Sequence, residues 1–210
     1  MRRVSFVLAT VVLLCMCVGP GFGAATVLFS DDFDSETGGL RSTPSKWEVS
    51  GGSVDIIPVG ADFDYLPGNG KYVDLDGSTN HPGVLTTKLS FDLTAGSTYL
   101  LEYRLAGSQR DDVSGASETE TVVVSLEGTA LTRTHEVPHK QAFESYAWSF
   151  TVPGDVLVRL SFENTEASPS DNMGPLLDTV RLSVVPVPGG VLLAGLGAGL
   201  LGWLRRRKVL

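Results

Sequence analysis

The sequence predicts an all-β chain, a two-sheet jelly-roll sandwich flanked by an N-terminal signal peptide and a C-terminal transmembrane helix. Three observations predict it. Apolar and β-branched residues cluster in short runs bounded by Gly, Pro, Asn and Asp. Several runs alternate with a period of two, and outside the termini none sustains a 3.6-residue apolar period. The two ends are instead continuous apolar stretches beside arginines, a pattern of targeting rather than of packing.

The chain opens Met1-Arg2-Arg3, continues as an apolar stretch from Val4 to Val18, breaks at Gly19-Pro20-Gly21 and reaches Gly23, Ala24 and Ala25. A positive start, a short apolar run and small residues make a signal peptide over residues 1–25, cut after Ala25 by signal peptidase on export through the Sec machinery. Lipidation needs a small residue before the modified cysteine, and Leu14 and Met16 are not small. Both cysteines, Cys15 and Cys17, lie inside this segment, so the mature chain has no thiol for a disulfide or a nucleophile.

Residues 26–184 form the expected sandwich, with strands near 26–29, 47–49, 53–57, 71–75, 83–93, 98–105, 121–126, 147–152, 156–162 and 176–184. In the ninth, Val156, Val158, Leu160 and Phe162 share one face and Leu157, Arg159 and Ser161 the other. About ten evenly spaced strands with turn-rich connections imply two packed sheets. Trp148 and Tyr72, inside strands, read as core.

All 24 Asp and Glu lie between Asp31 and Asp178, and the middle region 26–184 holds 10 of the 16 Lys and Arg, so its formal charge is 10 − 24 = −14. Such a surface repels phosphate backbones, which excludes nucleic acid as a partner. His135-Glu136-Val137-Pro138-His139 matches the zincin motif, which needs a helix to set two histidines on one face. Pro138 opposes a helix, and the segment reads instead as a polar hairpin loop. No Gly-x-Ser-x-Gly elbow is present, and His81, His135 and His139 are the only histidines. Acids for glycoside hydrolysis abound, which makes any one pair uninformative.

Polar connections at 60–70, 108–118 and 164–174 are expected to gather at the sheet ends and carry binding. Tyr65, set among Asp62, Asp64 and Asn69, is a candidate to stack on a sugar ring, and Gln109, Arg110 and Asp112 form the second candidate loop.

Four segments carry a resemblance over most of 26–185: Phe33-Asp34 soon followed by Trp47; Lys71-Tyr72-Val73-Asp74-Leu75-Asp76-Gly77; Leu105-Ala106-Gly107-Ser108-Gln109-Arg110; and Leu176-Leu177-Asp178-Thr179-Val180-Arg181-Leu182. Their order resembles the galactose-binding-like jelly rolls of carbohydrate-binding modules. The resemblance implies a structural calcium on Asp34 and Asp178. Asp32 crowds the same loop, and six to eight hard oxygens would suit the ion. The alternative is that these acids are solvated turn residues capping a strand.

Residues 185–210 read as a sorting signal. No charge occurs from Val187 to Leu204, and Arg205-Arg206-Arg207-Lys208 follows at once. A helix over 187–204 is a marginal span against the roughly 20 apolar residues a bilayer needs. The basic tail, 205–208, would stay cytoplasmic and leave the acidic domain outside. Val185-Pro186-Val187-Pro188-Gly189-Gly190, the glycine-rich apolar segment and the arginine cluster together resemble a PEP-CTERM-type sorting signal, with Pro186, Pro188, Arg205, Arg206 and Arg207 as its marks. Val187 stands where the name-giving pattern has glutamate. The resemblance implies an exosortase-like processing enzyme as partner.

The expectation is thus an exported bacterial protein, held in the inner membrane by its C-terminal helix with the domain outside, then surface-attached or secreted. It binds glycan or extracellular polysaccharide without catalysis. The alternatives are a secreted hydrolase acting on polysaccharide or envelope polymer, and a purely structural envelope protein.

Overall fold

A computed structural model describes residues 24–79, 81–110, 119–165 and 172–186. Most of the expected signal peptide, the expected span and basic tail, Pro188 and Asp112 therefore lie outside the described residues. Among the described residues no helix is long and apolar enough to cross a membrane. The chain divides into two units, Val27–Val184 and the terminal segments Met1–Thr26 with Val185–Leu210.

The described strands are β1 (Thr26–Asp31), β2 (Gly39–Ser42), β3 (Trp47–Ser50), β4 (Val54–Ile57), β5 (Tyr72–Asp74), β6 (Val84–Thr87), β7 (Phe91–Leu93), β8 (Thr98–Ala106), β9 (Thr119–Leu126), β10 (Thr132–Pro138), β11 (Glu144–Thr151), β12 (Val156–Val158), β13 (Leu160–Asn164) and β14 (Leu176–Val185). One sheet runs β11-β8-β14-β5-β4-β2, with β1 also paired to β14; the second runs β10-β9-β13-β6-β3; β12 and β7 form a small pair. The expected two-sheet sandwich is the observed fold.

Alternation makes the layers. On β8 Tyr99, Leu101, Tyr103 and Leu105 are buried while the residues between them are part-exposed, and on β9 Val122, Val124 and Leu126 do the same. These faces meet in one cluster with Leu85, Trp148, Phe150, Phe162, Leu177, Val180 and Leu182. Trp47 is its aromatic hub. Phe29 and Phe162 meet its ring edge-on at 5.3 and 6.0 Å, and Phe33 stacks at 6.0 Å. Full burial of each such side chain contributes roughly 1.5–3 kcal/mol. The Trp47 indole Nε1 donates to Asp31 Oδ2 at 2.7 Å, and Lys46 Nζ lies 3.1 Å from Asp31 Oδ1, so this buried carboxylate is answered on both sides.

Four expectations need correction. The strands expected at 83–93 and 156–162 each break in two, opposite one another. The cause is Thr87, fully buried, whose Oγ1 accepts the Leu160 N–H at 3.1 Å in place of a backbone carbonyl. Beyond it the same two segments pair again as β7 and β12, with the register shifted by two residues, from Ser161↔Thr86 to Val158↔Phe91. The inward set survives the break, with Val158, Leu160 and Phe162 at most 1% exposed. The polar hairpin expected at 135–139 is mostly strand: β10 pairs with β9 from Thr132↔Ser125 to Pro138↔Thr119. Proline is tolerated there because β10 is a sheet edge, where its missing donor leaves no gap in the ladder. Finally, β2 had no alternation to announce it. It is held on β4 through a bulge, the register stepping from Gly39↔Ile56 to Ser42↔Val54.

Candidate functional site

Neighbouring strands β14, β5 and β4 turn their second set of side chains away from the main core. Val54, Ile56, Val73 and Leu177 point inward. Leu176, Asp74 and Asp55 follow one another across the ladder, with Ile57 opposite Tyr72 one pair further. Phe63 and Tyr65 of connection 58–71, Ser108, Gln109 and Arg110 after β8, and Asn172 before β14 roof this row. The result is a cleft of about 270 Å³, closed on the β2 side by Leu40.

Its floor is acidic. Asp55, 5% exposed, accepts the Arg41 N–H at 2.7 Å and the Ser78 N–H at 3.2 Å on Oδ1, and the Ser78 hydroxyl at 2.6 Å on Oδ2. Arg41 sits in the left-handed region at φ 53°, so Asp55 both lines the cleft and caps the β2 bulge. Asp74 Oδ1 accepts the Asp76 N–H at 3.0 Å. Although one side of Asp74 opens to the cleft, burial pushes its carboxyl well above the ordinary aspartate range; the Asp76 N–H opposes this, the charges of Asp55 and Asp76 add to it, and Arg110 opposes it. Arg110 Nη1 is directed to the Asn172 carbonyl at 2.9 Å.

The aromatic wall is held from behind. Tyr72 Oη donates to Asp64 Oδ1 at 3.1 Å and accepts the Leu66 N–H at 3.3 Å. Burial, with the Asp64 carboxylate beside it, raises the Tyr72 phenol, so it stays a donor. Asn69 donates to the Leu66 carbonyl at 2.8 Å and accepts from Arg104 at 2.9 Å, and Arg104 lies 4.8 Å over the Phe143 ring. Phe143 meets Tyr72 edge-on at 5.5 Å. The connection is thus fixed at several points, with Phe63 36% and Tyr65 48% exposed where they line the cleft. Gly70, at φ 78°, is needed where this connection ends, because a Cβ there would run into the Asp34 carboxylate.

The structure brings together Tyr65, Gln109 and Arg110 in one cleft. Asp112 lies outside the described residues. Gln109 spends its amide nitrogen on the Gly107 and Gln141 carbonyls, each at 2.8 Å, so it shapes the loop as well as lining it. Sequence reasoning did not single out Asp55, Asp74, Phe63 or Asn172. The available signal was the carboxylate inside Val54-Asp55-Ile56-Ile57 and the alternation Asp74-Leu75-Asp76, acids set into otherwise apolar strands.

The expected calcium ligands are arranged differently. Asp32 is exposed, and its Oδ1 accepts the Asp34 N–H at 3.3 Å. Asp34 Oδ1 accepts the Lys71 N–H at 2.7 Å. Asp178 is set on a kink at Thr179, φ 49°, and pairs with Arg104 Nη1 at 2.8 Å. Its carboxyl is raised by burial, opposed by Thr179 and Arg104, with Asp34 adding a repulsive charge. Among the described residues no group of three metal-binding side chains converges. In this arrangement a guanidinium stands 2.8 Å from Asp178 Oδ2, where the resemblance would put the ion.

The zincin-like pair has its own explanation. His135 Nε2 meets the Tyr103 hydroxyl at 2.5 Å and its ring packs 4.4 Å from Tyr146. Burial, then Arg133, lowers the His135 imidazole, and burial raises the Tyr103 phenol, so the tyrosine donates to a neutral imidazole. On a strand the two histidines do not converge.

A family model described as protein of unknown function (DUF642) matches residues 33–183. No curated protein matches the chain. Among solved structures, the chain is similar to the CBM22-1 xylan-binding domain of Paenibacillus barcinonensis Xyn10C, at 18% identity over 78% of this chain and 97% of that one, TM-score 0.46. It is similar to the CBM22-1–GH10 modules of Clostridium thermocellum Xyn10B complexed with xylohexaose, at 12% identity over 77% of this chain and 29% of that one, TM-score 0.49. A CBM4 structure matches at 13% identity over 73% of this chain and 98% of that one, TM-score 0.44. These likenesses concern the fold.

Proposed function

Since the chain belongs to the family described as protein of unknown function (DUF642), whose description names no activity, we propose a function from the cleft itself: non-catalytic binding of a glycan chain outside the cell. The observation that carries this reading is the pairing of exposed aromatic faces, Phe63 and Tyr65, with fixed hydrogen-bonding groups, Asp55, Asp74 and Arg110. A pyranose presents apolar C–H faces to the rings and hydroxyls to the polar groups. The wall is pre-organised by Tyr72 and Asn69, which lowers the ordering cost of binding.

Export, membrane anchoring and processing by an exosortase-like enzyme belong to the same proposal, supported by the terminal sequences alone. Affinity electrophoresis of the full chain in gels containing xylan, soluble cellulose derivatives or the cell's own exopolysaccharide tests the binding. Retardation that Tyr65→Ala abolishes is the expected result, and mobility unaffected by every polymer overturns it. Fractionation with mass spectrometry of the mature C-terminus, against a chain ending at Val185, tests the placement.

A further inference from the structure

The cleft reading leaves open which sugar chemistry the floor prefers, and the charges around it decide between anionic, neutral and cationic units. Asp55 and Asp74 lie opposite each other in register on β4 and β5, both lining the cleft, with Asp76 just behind at 1% exposure. The one described cation lining the cleft is Arg110, whose Nη1 is turned to the Asn172 carbonyl. Two carboxylates at the floor and a third beneath it outweigh that guanidinium. Resting on the glycan reading, we propose that the cleft selects hexosamine units with a free, protonated amino group, the ammonium seated between the Asp74 carboxylate and the aromatic wall.

Each feature of the surface favours that group. A sugar carboxylate would add a like charge beside two others in a partly desolvated space, and is repelled. A hydroxyl offers Asp74 one neutral donor. An ammonium offers up to three donors and a full opposite charge, giving shorter and stronger charge-assisted bonds. The faces of Phe63 and Tyr65 attract the same cation through their ring quadrupoles. Burial, then the charges of Asp55 and Asp76, oppose the charged form of Asp74, and a cation in the cleft beside it would favour that form. A ligand cation supplies a further counter-charge.

Titration calorimetry of the full chain tests the proposal with three hexamers sharing a β-1,4-linked glucose-type backbone: cellohexaose, chitohexaose and fully deacetylated chitohexaose. Hexagalacturonate serves as the anionic arm. At pH 6 and physiological salt the deacetylated hexamer is expected to bind about tenfold more tightly than cellohexaose, the worth of one charge-assisted contact, and hexagalacturonate most weakly. Asp74→Asn should bring the amine and hydroxyl hexamers to within about twofold of one another. Asp92→Asn, an exposed charge on β7 outside the cleft, should leave the preference intact. Equal affinity of wild type for the amine and hydroxyl hexamers overturns the amine selection while leaving glycan binding standing. Loss of the preference in Asp92→Asn as complete as in Asp74→Asn overturns it too, by assigning it to diffuse attraction. Absence of binding to every hexamer and every polymer removes the glycan reading itself.

Discussion

Burial and the charges of Asp55 and Asp76 all oppose the charged form of Asp74, and this makes it the most informative residue to alter. Its folded-state carboxyl sits above the unfolded one, so between the ordinary aspartate value and the raised one the folded state binds more protons. Stability contributed by this group is therefore complete at acid pH and falls as pH rises through that window. Asp74→Asn is expected to melt higher than wild type at pH 7 and to converge with it below pH 4, in thermal scans across that range. A variant less stable than wild type at pH 7 contradicts the argument. Tyr65, Gln109 and Arg110 were legible in the sequence because polar loop residues near an aromatic stand out. Asp55 and Asp74 were not, because an acid on the outward face of a strand looks like ordinary solvated alternation until residues such as Phe63, Tyr65 and Arg110 cover it.

Elements here are joined by single side chains that replace backbone partners. Thr87 is one: its hydroxyl takes the Leu160 N–H where two strands diverge, and Thr87→Val would leave that buried N–H unmade. The expected loss is about 1–3 kcal/mol in urea denaturation. Tyr72 is another, tying 58–71 by its hydroxyl. Tyr72→Phe keeps the ring against Phe143 and should leave the melting temperature nearly unchanged, while binding to the cleft weakens severalfold because the aromatic wall is no longer fixed. An unchanged affinity would show that the wall needs no such tether. At this scale the sequence was a good guide where strands alternate, as in β8, β9 and β14. It misled at 83–93 and 156–162, since a register shift by two residues, bridged by one threonine, leaves the period of two undisturbed. It missed β2, whose pairing depends on a bulge capped by a carboxylate sixteen residues after Gly39.

For the whole molecule, the sandwich was readable because its two inner faces write their period along the chain, and a core centred on Trp47 follows from it. The calcium expected from the resemblance is where that guidance is least secure. Asp178 has Arg104 as its counter-ion, and Arg104 in turn steadies Asn69 and Phe143. Calcium and EDTA are accordingly expected to give superimposable melting curves for the full chain. A rise in melting temperature with calcium, abolished by Asp178→Ala, would show that the ion displaces the guanidinium.

Strand β14 runs ten residues from Leu176 at the cleft to Val185, about 33 Å, with partners on both edges. A polymer gripped at one end and a tail pulled at the other would strain this strand lengthwise. Its ladder bonds stand across the direction of pull, so they would resist together in shear instead of unzipping in succession. If the chain is tethered and binds a polymer as proposed, the strand that gives Leu176 to the cleft would be suited to carry that tension.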